Sequence, residues 1–460
     1  MVKYIKKDHT PSARDAAYLA LKQIELEDAY ANIALKQVLN QYQLPANEAR
    51  LATQITYGTT RMRLALDYIL EQFLTKPLDQ LPPEAKIILR LSLYQLHYLR
   101  IEHYAAVNEG VRLVKKYMSP KLAGVVNAVL RNYLRSEREQ LLPAPADGMA
   151  QYLHIALSFP QWIVDYLLRH YTPEQAEAFC LHANSYRGVA IRANTLQVSR
   201  DELYARLTER QVDVKIAGYA PESLLLAAEV GNLAAQPLFR EGYFIVQGLS
   251  SQLVAHALNP EPGSRVLDLC AAPGGKSTHL AALMKNKGEL HAFDVHPHKT
   301  SLVRGNAERL GCRIIKAETA DSRYLPDMYQ GWADYLLLDA PCTGLGMLGL
   351  RADSRFRRET ADIAALAKIA RDLLEAAANY LRPGGRLCYA TCTITDEENS
   401  GNVRSFLAAH PDFSLAPMTG LIPYLPGRQS ELEQGELQLL PFQDSQALEG
   451  FYIALLEKKQ

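Results

Sequence analysis

The first third of the chain carries apolar residues at the spacing of amphipathic α-helices. Across residues 5–140, good helix formers separate apolar positions that recur three or four residues apart, which predicts an almost entirely helical domain. Ser12 stands just before the first apolar run and is a residue type that caps helix N-termini. Four prolines between positions 45 and 83 predict breaks between helices. The expected helices cover 14–24, 29–42, 46–73, 83–101, 105–117 and 119–136.

The pattern changes after a polar, proline-rich stretch at 141–148, which predicts a linker. Residues 150–245 mix helical spacing with strand-like alternation at 189–194. From residue 246 onward apolar strands alternate with helices, which is typical of a doubly wound parallel sheet. We therefore expect a multidomain protein. Its parts are an all-α N-terminal domain (1–140), a small α/β linking domain (150–245) and a C-terminal Rossmann-like doubly wound α/β domain (246–460).

In the third domain, candidate cofactor residues follow the expected strands. An apolar run at 266–269 leads into a stretch of small residues, one proline and two glycines that ends at Lys276. Such a turn predicts a nucleotide-type cofactor site at the N-terminus of the next helix, with Ser277 and Thr278 as expected caps. The spacing is neither Gly-x-Gly-x-x-Gly nor that of a phosphate-binding P-loop. Asp294 ends the second strand, 20 positions after Gly274, where this architecture places a carboxylate for ribose hydroxyls.

Two cysteines follow or end the fourth and fifth expected strands. These are Cys342, after the strand that ends at Asp339, and Cys392, at the end of the strand 386–392. Because ligands bind outside the carboxyl ends of the strands in open α/β sheets, both cysteines are expected at the edge that carries Gly274 and Asp294. Six cysteines in so long a chain do not predict a disulfide framework, and no ligand spacing predicts a metal site.

Charge and composition narrow the class of protein. The chain has 460 residues, 48% of them hydrophobic, and its 50 Lys plus Arg balance 50 Asp plus Glu. Nucleic-acid binding must therefore come from local basic surfaces and not from the overall charge. Neither a signal peptide nor a membrane-spanning run is found, so a cytoplasmic protein without membrane contact is expected. Basic residues crowd the last two helices of the first domain and favour a surface that contacts phosphates: Arg112, Lys115, Lys116, Lys121, Arg131, Arg135 and Arg138.

The motifs resemble two known families. Residues 5–136 resemble the helical domain of NusB, an RNA binder of transcription antitermination, on the stretches 49–58, 90–96 and 125–131. Residues 150–460 resemble RNA cytosine-5 methyltransferases, on Asp-Leu-Cys-Ala-Ala-Pro-Gly-Gly-Lys (268–276), Asp-Ala-Pro-Cys-Thr-Gly (339–344) and Tyr-Ala-Thr-Cys-Thr (389–393). The combination resembles the RsmB (Sun/Fmu) family of 16S ribosomal RNA methyltransferases.

The resemblance implies a role for each motif residue. Cys392 maps onto the nucleophile that adds to C6 of cytosine, which is covalent catalysis by an activated cysteine. Cys342 maps onto the cysteine that helps to release product, and Asp339 onto the residue that holds the cytosine edge. S-adenosylmethionine is the implied cofactor, 16S ribosomal RNA the implied partner, and a monomer is expected. The expected cofactor contacts are Cys270, Ala271, Ala272, Pro273, Gly274, Gly275, Lys276, Asp294, Asp321 and Asp339.

One segment departs from the family pattern, and the alternatives stay open. Members often follow the Pro-Cys motif with a basic pair and a His-Pro-Asp or Lys-Pro-Glu triplet. Here Gly349 and Leu350 replace the pair and Ala352 replaces the proline, although Asp353 is kept, a departure that concerns the RNA contacts of this loop more than the chemistry. A tRNA cytosine-5 methyltransferase rests on the same catalytic motifs. A non-catalytic, antitermination-like RNA binder leaves both cysteines unexplained, and a nicotinamide dehydrogenase lacks its glycine fingerprint.

Overall fold

The chain divides into two compact units. The structure is a computed structural model that describes residues 11–185, 188–227, 233–422, 425–443 and 448–460. The start of the first expected helical region, residues 5–10, lies outside the described residues. One unit comprises Met1–Asn184 and Leu348–Arg357, and the other comprises Ser185–Met347 and Arg358–Gln460. The helices between 149 and 184, which the sequence analysis grouped with the small α/β domain, thus belong to the first unit.

The first unit is all-helical, as predicted. Its α-helices are Ala13–Leu26 (α1), Ala31–Tyr42 (α2), Ala46–Arg61 (α3), Arg63–Glu71 (α4), Pro83–Tyr98 (α5), His103–Tyr117 (α6), Ala123–Arg135 (α7), Met149–Gln151 (α8), Gln161–His170 (α9) and Pro173–Asn184 (α10). Short 3-10 turns cover Leu78–Gln80, Pro120–Leu122, Arg138–Gln140, Pro145–Asp147 and Ser354–Phe356, and a π turn covers Tyr152–Ala156.

Helix α1 begins as its sequence predicts. The Ser12 hydroxyl accepts the Asp15 N–H, and the Asp15 carboxylate accepts the Ser12 N–H, which completes a capping box. Ala17, Leu21 and Ile24 then fall on one face and are buried in the core of the unit. The cap and the apolar face together fix the start and the orientation of this helix.

The single helix expected over 46–73 is wrong. The chain forms α3 and α4, which meet at Met62, where the backbone leaves helical geometry (φ −95°, ψ 22°). Neither proline nor glycine marks this break in the sequence. Met62 is buried, and the break lets α3 and α4 each turn an apolar face into the same core. Tertiary packing has therefore overridden an unbroken local helix pattern.

Part of the basic surface is neutralised within the first unit. The buried carboxylate of Asp15 accepts hydrogen bonds from Arg112 (2.8 Å), Lys116 (2.9 Å) and the Tyr117 hydroxyl (2.9 Å). Burial alone would raise the pKa of Asp15, but the two cations outweigh it and lower that pKa well below its ordinary value. Two of the seven basic residues singled out are thus structural. Four others are exposed and have no acidic partner among the described residues: Lys115, Lys121, Arg131 and Arg135.

Asp15→Asn is expected to destabilise the first unit by about 2 kcal/mol at pH 7, because hydrogen bonds to a charged group are lost. A carboxyl whose folded pKa is lowered stabilises the fold above its unfolded pKa, about 3.9, and loses this contribution as the pH falls below it. The difference in melting temperature from the wild type should therefore be large at pH 7 and shrink below about pH 4. The exposed Asp79→Asn serves as the control. An equal difference at both pH values would contradict the assignment.

The segment Leu348–Arg357, in which the sequence departs from the family pattern, has a structural role in the first unit. Asp353 accepts the N–H of Ala31 (3.1 Å) at the start of α2. The fully buried Arg355 donates to Asn184 (3.0 Å), and its guanidinium stacks on the Phe159 ring at 4.0 Å. Asp353 thus accepts a backbone N–H in the first turn of α2, a structural contact between residues 322 positions apart that the sequence does not reveal.

The second unit contains a small antiparallel sheet followed by a large mixed sheet. The first part comprises Val189–Ala193 (β1), Arg200–Glu209 (α11), Val214–Ile216 (β2), Ser223–Leu226 (β3), Pro237–Arg240 (α12) and Phe244–Val246 (β4). Its strand order is β2-β3-β1-β4, and all pairs are antiparallel. Buried Ile191, Leu203 and Phe244 join the sheet to α11 in one apolar core.

The large sheet has a parallel centre and an antiparallel edge. Its elements are Leu249–Leu258 (α13), Arg265–Asp268 (β5), Gly275–Leu283 (α14), Glu289–Asp294 (β6), Pro297–Leu310 (α15), Ile315–Thr319 (β7), Ala333–Asp339 (β8), Thr360–Tyr380 (α16), Leu381–Thr391 (β9), Ser400–Ala409 (α17), Phe413–Leu415 (β10), Gln429–Gln434 (α18), Glu436–Leu439 (β11) and Phe451–Lys458 (β12). The strand order is β10-β12-β9-β8-β5-β6-β7, and β11 pairs with β12. Among all described helices, none is long and apolar enough to cross a membrane.

The strand order positions the candidate site. Strands β9, β8, β5, β6 and β7 are parallel, so their carboxyl ends meet at one edge. The chain moves outward from β5 through β6 and β7, then returns to β8 beside β5. This reversal opens a crevice at the carboxyl ends of β5 and β8, which is where open α/β sheets bind ligands. The prediction of a doubly wound sheet is confirmed.

Candidate active site

The turn between β5 and α14 has the geometry of a cofactor loop. Gly274 has a left-handed backbone (φ +98°), which favours glycine, and a Cβ at this position would lie only 3.1 Å from the Cα of Val303. Backbone conformation and close packing therefore both favour glycine here. Helix α14 begins at the next residue, Gly275, and spans nine residues. Its first amide groups lack partners within the helix and lie at the crevice edge, so they can receive a polar ligand.

Ser277 and Thr278 do not cap α14, which corrects the sequence prediction. Both lie inside the first helical turn, and Gly274 occupies the N-cap position. The Ser277 hydroxyl donates to Asp268 (2.6 Å), and the Thr278 hydroxyl donates to the Gly274 carbonyl (2.7 Å). Burial raises the pKa of Asp268 to about 7. These bonds hold the first turn of α14 against the end of β5, so the two hydroxyls fix the loop instead of capping the helix.

The two carboxylates proposed to contact the cofactor differ in how far protein hydrogen-bond donors already occupy their oxygens. Asp294 ends β6, and its Oδ1 accepts the N–H of His296 (3.1 Å), while its Oδ2 has no donor among the described residues. Asp321 lies after β7, and its carboxylate is held by the guanidinium of Arg323 at 2.6 Å. That ion pair lowers the pKa of Asp321. Asp294 is therefore the more available acceptor of the two.

Asp294→Ala is expected to weaken binding of S-adenosylmethionine by about tenfold to a hundredfold, because a charge-assisted hydrogen bond is worth about 1.5–3 kcal/mol. Isothermal calorimetry without RNA measures this loss directly. The exposed Asp327→Ala is the matched control and should bind as the wild type does. Wild-type affinity in Asp294→Ala would show that the ribose is held elsewhere.

The two candidate cysteines lie side by side at the same edge. The Sγ atoms of Cys342, after β8, and Cys392, after β9, are 3.2 Å apart, and both residues are partly exposed. The bond from the Gly346 N–H to the Cys392 carbonyl (3.1 Å) ties the two loops together. Cys388 points into the core and is fully buried. Only two of the three cysteines of these strands can therefore meet a ligand at this edge.

A lysine provides the cationic neighbour that a reactive cysteine needs. Lys276 Nζ lies 2.6 Å from Asp339 Oδ2 and 5.0 Å from the centre of the Phe451 ring. Burial alone would lower the pKa of Lys276, but the Asp339 carboxylate outweighs it, and a Cys392 thiolate adds to the resulting rise in that pKa. Lys276 thus stays charged near Cys392. Cationic neighbours favour thiolates, and this role of the side chain was not foreseen from its place in the loop.

The two cysteines therefore have different electrostatic surroundings. The hydrogen bond to Cys392, together with burial and the nearby Glu398 and Asp339 carboxylates, raises the pKa of Cys342 well above its ordinary value. Cys342 therefore keeps its proton and can donate it towards Cys392. The thiol pair is asymmetric, with one sulfur near a cation and the other near anions, which suits one nucleophile and one proton carrier.

A second polar cluster was not foreseen. Glu222, His256 and His279 offer one ligand atom each, all within 4.8 Å of one another. His256 Nε2 lies 2.9 Å from the Glu222 carboxylate, and burial with the nearby Arg192 lowers the pKa of His279 to about 3. The cluster joins the small sheet to α13 and α14. The expectation of a protein without a metal site stays a prediction.

Comparison with known proteins gives one consistent family. A profile described as 16S rRNA methyltransferase RsmB/F matches residues 255–457, the NusB family matches 11–135, and a ferredoxin-like domain of RsmF/B-like methyltransferases matches 159–231. "Probable ribosomal RNA small subunit methyltransferase B" of Bacillus subtilis (strain 168) is 36% identical, over 97% of this chain and 99% of that protein.

Solved structures that are similar to this chain include the following two. The crystal structure of PH0851 aligns with a TM-score of 0.83 and 29% identity, over 98% of this chain and all of that one. The crystal structure of NSun6 from Pyrococcus horikoshii with SFG aligns with a TM-score of 0.58 and 26% identity, over 67% of this chain and all of that one. The NusB-like, ferredoxin-like and methyltransferase parts thus follow one another in the order that the sequence predicted.

Proposed function

The chain belongs to the 16S rRNA methyltransferase RsmB/F family, and from this premise we propose that it methylates C5 of a cytosine in 16S ribosomal RNA through a covalent bond between Cys392 and C6. The observation that carries the proposal is the pair of thiols at the strand ends, 3.2 Å apart, with Lys276 and Asp339 beside them. A methyltransferase that acts on a nucleophilic atom would need neither thiol. C5 of cytosine does need one, since it becomes nucleophilic only after a thiolate adds to C6.

The proposed reaction assigns a bond change to each sulfur. The Cys392 thiolate forms the S–C6 bond, and the electrons of the C5–C6 double bond make C5 nucleophilic. S-adenosylmethionine supplies an electrophilic methyl group on sulfonium sulfur. After methylation C5 must lose its hydrogen as a proton, which re-forms the double bond and expels the Cys392 thiolate. Once Cys392 is bonded to C6, it no longer forms the thiol hydrogen bond that most raises the pKa of Cys342. Cys342, whose Sγ lies 3.2 Å from that of Cys392, can then release its own proton to solvent, and its thiolate is proposed to take the proton from C5.

Two charges stabilise the adduct in this account. Asp339 is the last residue of β8, and one of its oxygens is held by Lys276 while a quarter of the side chain stays exposed. The exposed oxygen is proposed to receive the N4 amino group of cytosine, which fixes the ring above the thiols. The Lys276 ammonium lowers the energy of the Cys392 thiolate before attack and again when it leaves. Both effects need a fixed pair, and the bond between Lys276 and Asp339 provides one.

The loop residues fit S-adenosylmethionine. A glycine with a positive φ, the amide groups at the start of α14 and the free oxygen of Asp294 form a cradle with a polar wall at the crevice. The residues proposed to hold the cofactor are the loop 270–276 with Asp294, and Asp321 and Asp339 complete the set. The NSun6 structure, which aligns with 67% of this chain, was solved with SFG, and this supports a bound cofactor in the proposal.

The first unit is proposed to bind the RNA. Exposed Lys115, Lys121, Arg131 and Arg135 lack acidic partners among the described residues and lie on α6, α7 and the turn between them. Such cations contact phosphates without reading sequence, so they would hold the RNA while the sheet edge selects the base. We also propose that the protein is cytoplasmic and monomeric. It needs no metal ion in this account, because the covalent route uses only thiols and charged side chains.

The function is tested with unmethylated 16S ribosomal RNA, purified protein and S-adenosylmethionine, followed by bisulfite sequencing. One protected cytosine in 16S RNA, and none in the tRNA or 23S RNA incubated alongside, is the expected result. Cys392→Ala is the control for a contaminating enzyme. A protected cytosine in tRNA alone would show that the substrate is tRNA and not 16S ribosomal RNA. Methyl transfer to a position other than cytosine C5 would overturn the reaction class.

A further inference from the structure

Glu398 is a buried carboxylate to which the catalytic scheme gives no bond change and no ligand contact. It follows β9 by seven positions and is 1% exposed. Within the described part of the chain it forms no ion pair, so its charge has only hydrogen-bond donors to stabilise it. Burying a carboxylate without a countercharge is expensive, and a core residue of the same size would avoid this penalty. The local arrangement therefore requires another explanation.

The carboxylate binds residues that adjoin both cysteines. Its Oε1 accepts the Thr343 N–H (2.7 Å), and its Oε2 accepts the hydroxyls of Thr343 (2.6 Å) and Thr395 (2.6 Å). Thr343 directly follows Cys342, and its hydroxyl also bonds that of Thr393, the neighbour of Cys392, at 2.8 Å. The three threonines are fully or almost fully buried. Glu398 thus joins the two cysteine loops through three short hydrogen bonds, and the Thr343–Thr393 bond adds a fourth link.

We propose that Glu398 is a positioning residue that holds the Cys342 and Cys392 loops in register and, through its charge, makes the two sulfur atoms unequal. The proposal rests on the assignment of Cys392 as nucleophile and goes beyond it, since it names what fixes the sulfur pair. Without the carboxylate, the loops are joined by the Thr343–Thr393 contact and by the bond from Gly346 to Cys392. Neither of these fixes the backbone N–H of Thr343.

Charge gives Glu398 its second effect. Its carboxylate is one of the groups that raise the pKa of Cys342, whereas Lys276 interacts with Cys392. Two chemically identical side chains 3.2 Å apart are thereby made different by a buried anion on one side and a cation on the other. Glutamine can accept the Thr343 N–H with its oxygen and donate from its nitrogen to the threonine hydroxyls, which then act as acceptors. Glu398→Gln therefore removes the charge and keeps a hydrogen-bonded link between the loops, so geometry and charge can be tested separately.

Geometry is tested on the wild type, Glu398→Ala, Glu398→Gln and the exposed neighbour Glu397→Gln as the matched control. Diamide converts two adjacent thiols to a disulfide while its N=N bond is reduced to a hydrazine, and mass spectrometry measures the rate for the Cys342–Cys392 pair. We expect Glu398→Ala to slow this rate at least about tenfold. Single-turnover adduct formation with RNA should fall about a hundredfold, the loss that a misplacement of about 1 Å produces. The control should match the wild type in both measurements.

Charge is tested by comparing Cys392→Ser with the double variant Cys392→Ser/Glu398→Gln, which isolates Cys342. Iodoacetamide alkylation of Cys342 is followed against pH by mass spectrometry. The midpoint is expected to fall by at least about one pH unit when the Glu398 charge is removed. A residue that merely fills the core would leave the midpoint unchanged.

Each outcome decides the proposal. Disulfide rates and alkylation midpoints equal to those of the parent proteins would overturn it. So would parallel losses of melting temperature, S-adenosylmethionine affinity and adduct rate, because these would make Glu398 an ordinary core residue. Wild-type protein that forms no adduct with any RNA would instead refute the proposed function. The two thiol measurements use neither RNA nor cofactor, so they still decide the role of Glu398.

Discussion

Cys392→Ala is expected to form neither 5-methylcytosine nor a covalent complex with RNA, whereas Cys342→Ala is expected to methylate once and remain attached. The first variant lacks the thiolate that activates C5, so no later step can begin. The second still attacks and accepts the methyl group, but it lacks the group 3.2 Å away that is proposed to remove the C5 proton. Radiolabelled RNA that stays with the protein on a denaturing gel measures the difference.

The matched control is Cys388→Ala, on the same strand but fully buried, which should behave as the wild type apart from stability. The opposite assignment is a definite alternative because both sulfurs lie at one sheet edge. A persistent adduct in Cys392→Ala with none in Cys342→Ala would exchange the two roles and leave the reaction class unchanged.

Lys276→Met is expected to lower kcat by about a hundredfold to a thousandfold, the usual loss when one preorganised charge is removed from an active site. Methionine keeps the contact with Phe451 but leaves Cys392 without its cation and Asp339 without its partner. Because thiolate formation then needs a higher pH, the rate of adduct formation should rise with pH over a range where the wild type has levelled off. Single-turnover measurements across pH test this.

In the wild-type protein, Lys276 stays protonated over the pH range of these measurements, because Asp339 raises the pKa of Lys276 above its ordinary value. The exposed Lys287→Met is the control for loss of a positive charge. The proposed cofactor contact of Lys276 is made by its backbone, since its side chain is directed at Asp339 and Phe451, so affinity for S-adenosylmethionine should change little. An unchanged pH profile with a large loss of cofactor affinity would make Lys276 a cofactor contact only.

The edge of the sheet could be predicted from sequence because strand ends are local signals. A short apolar run fixes each parallel strand, and parallel pairing brings all the carboxyl ends together, so Gly274, Asp294, Asp339 and Cys392 could be assigned to one edge. The capping box at Ser12 was predictable for the same reason, since both partners lie within one helical turn.

The remaining features depend on contacts between distant parts of the chain. Lys276 and Asp339 are 63 positions apart, and Thr343 and Glu398 are 55 apart, so neither pair leaves a pattern in the sequence. The break at Met62 and the packing of Leu348–Arg357 into the helical unit likewise follow from tertiary packing. Ser277 was mistaken for a cap because its partner, Asp268, lies across the loop, outside the helix that it begins.

The central claim is that Cys392 bonds to C6 of a cytosine in 16S ribosomal RNA, and a substrate that cannot be released tests it most directly. RNA containing 5-fluorocytidine is incubated with wild-type protein and S-adenosylmethionine. Fluorine cannot leave C5 as a cation, so the final elimination is blocked and the covalent complex accumulates. After nuclease and protease digestion, tandem mass spectrometry should find a methylated, fluorinated pyrimidine on the peptide that contains Cys392. The same nucleotide on Cys342, or turnover without any linked peptide, would contradict the account.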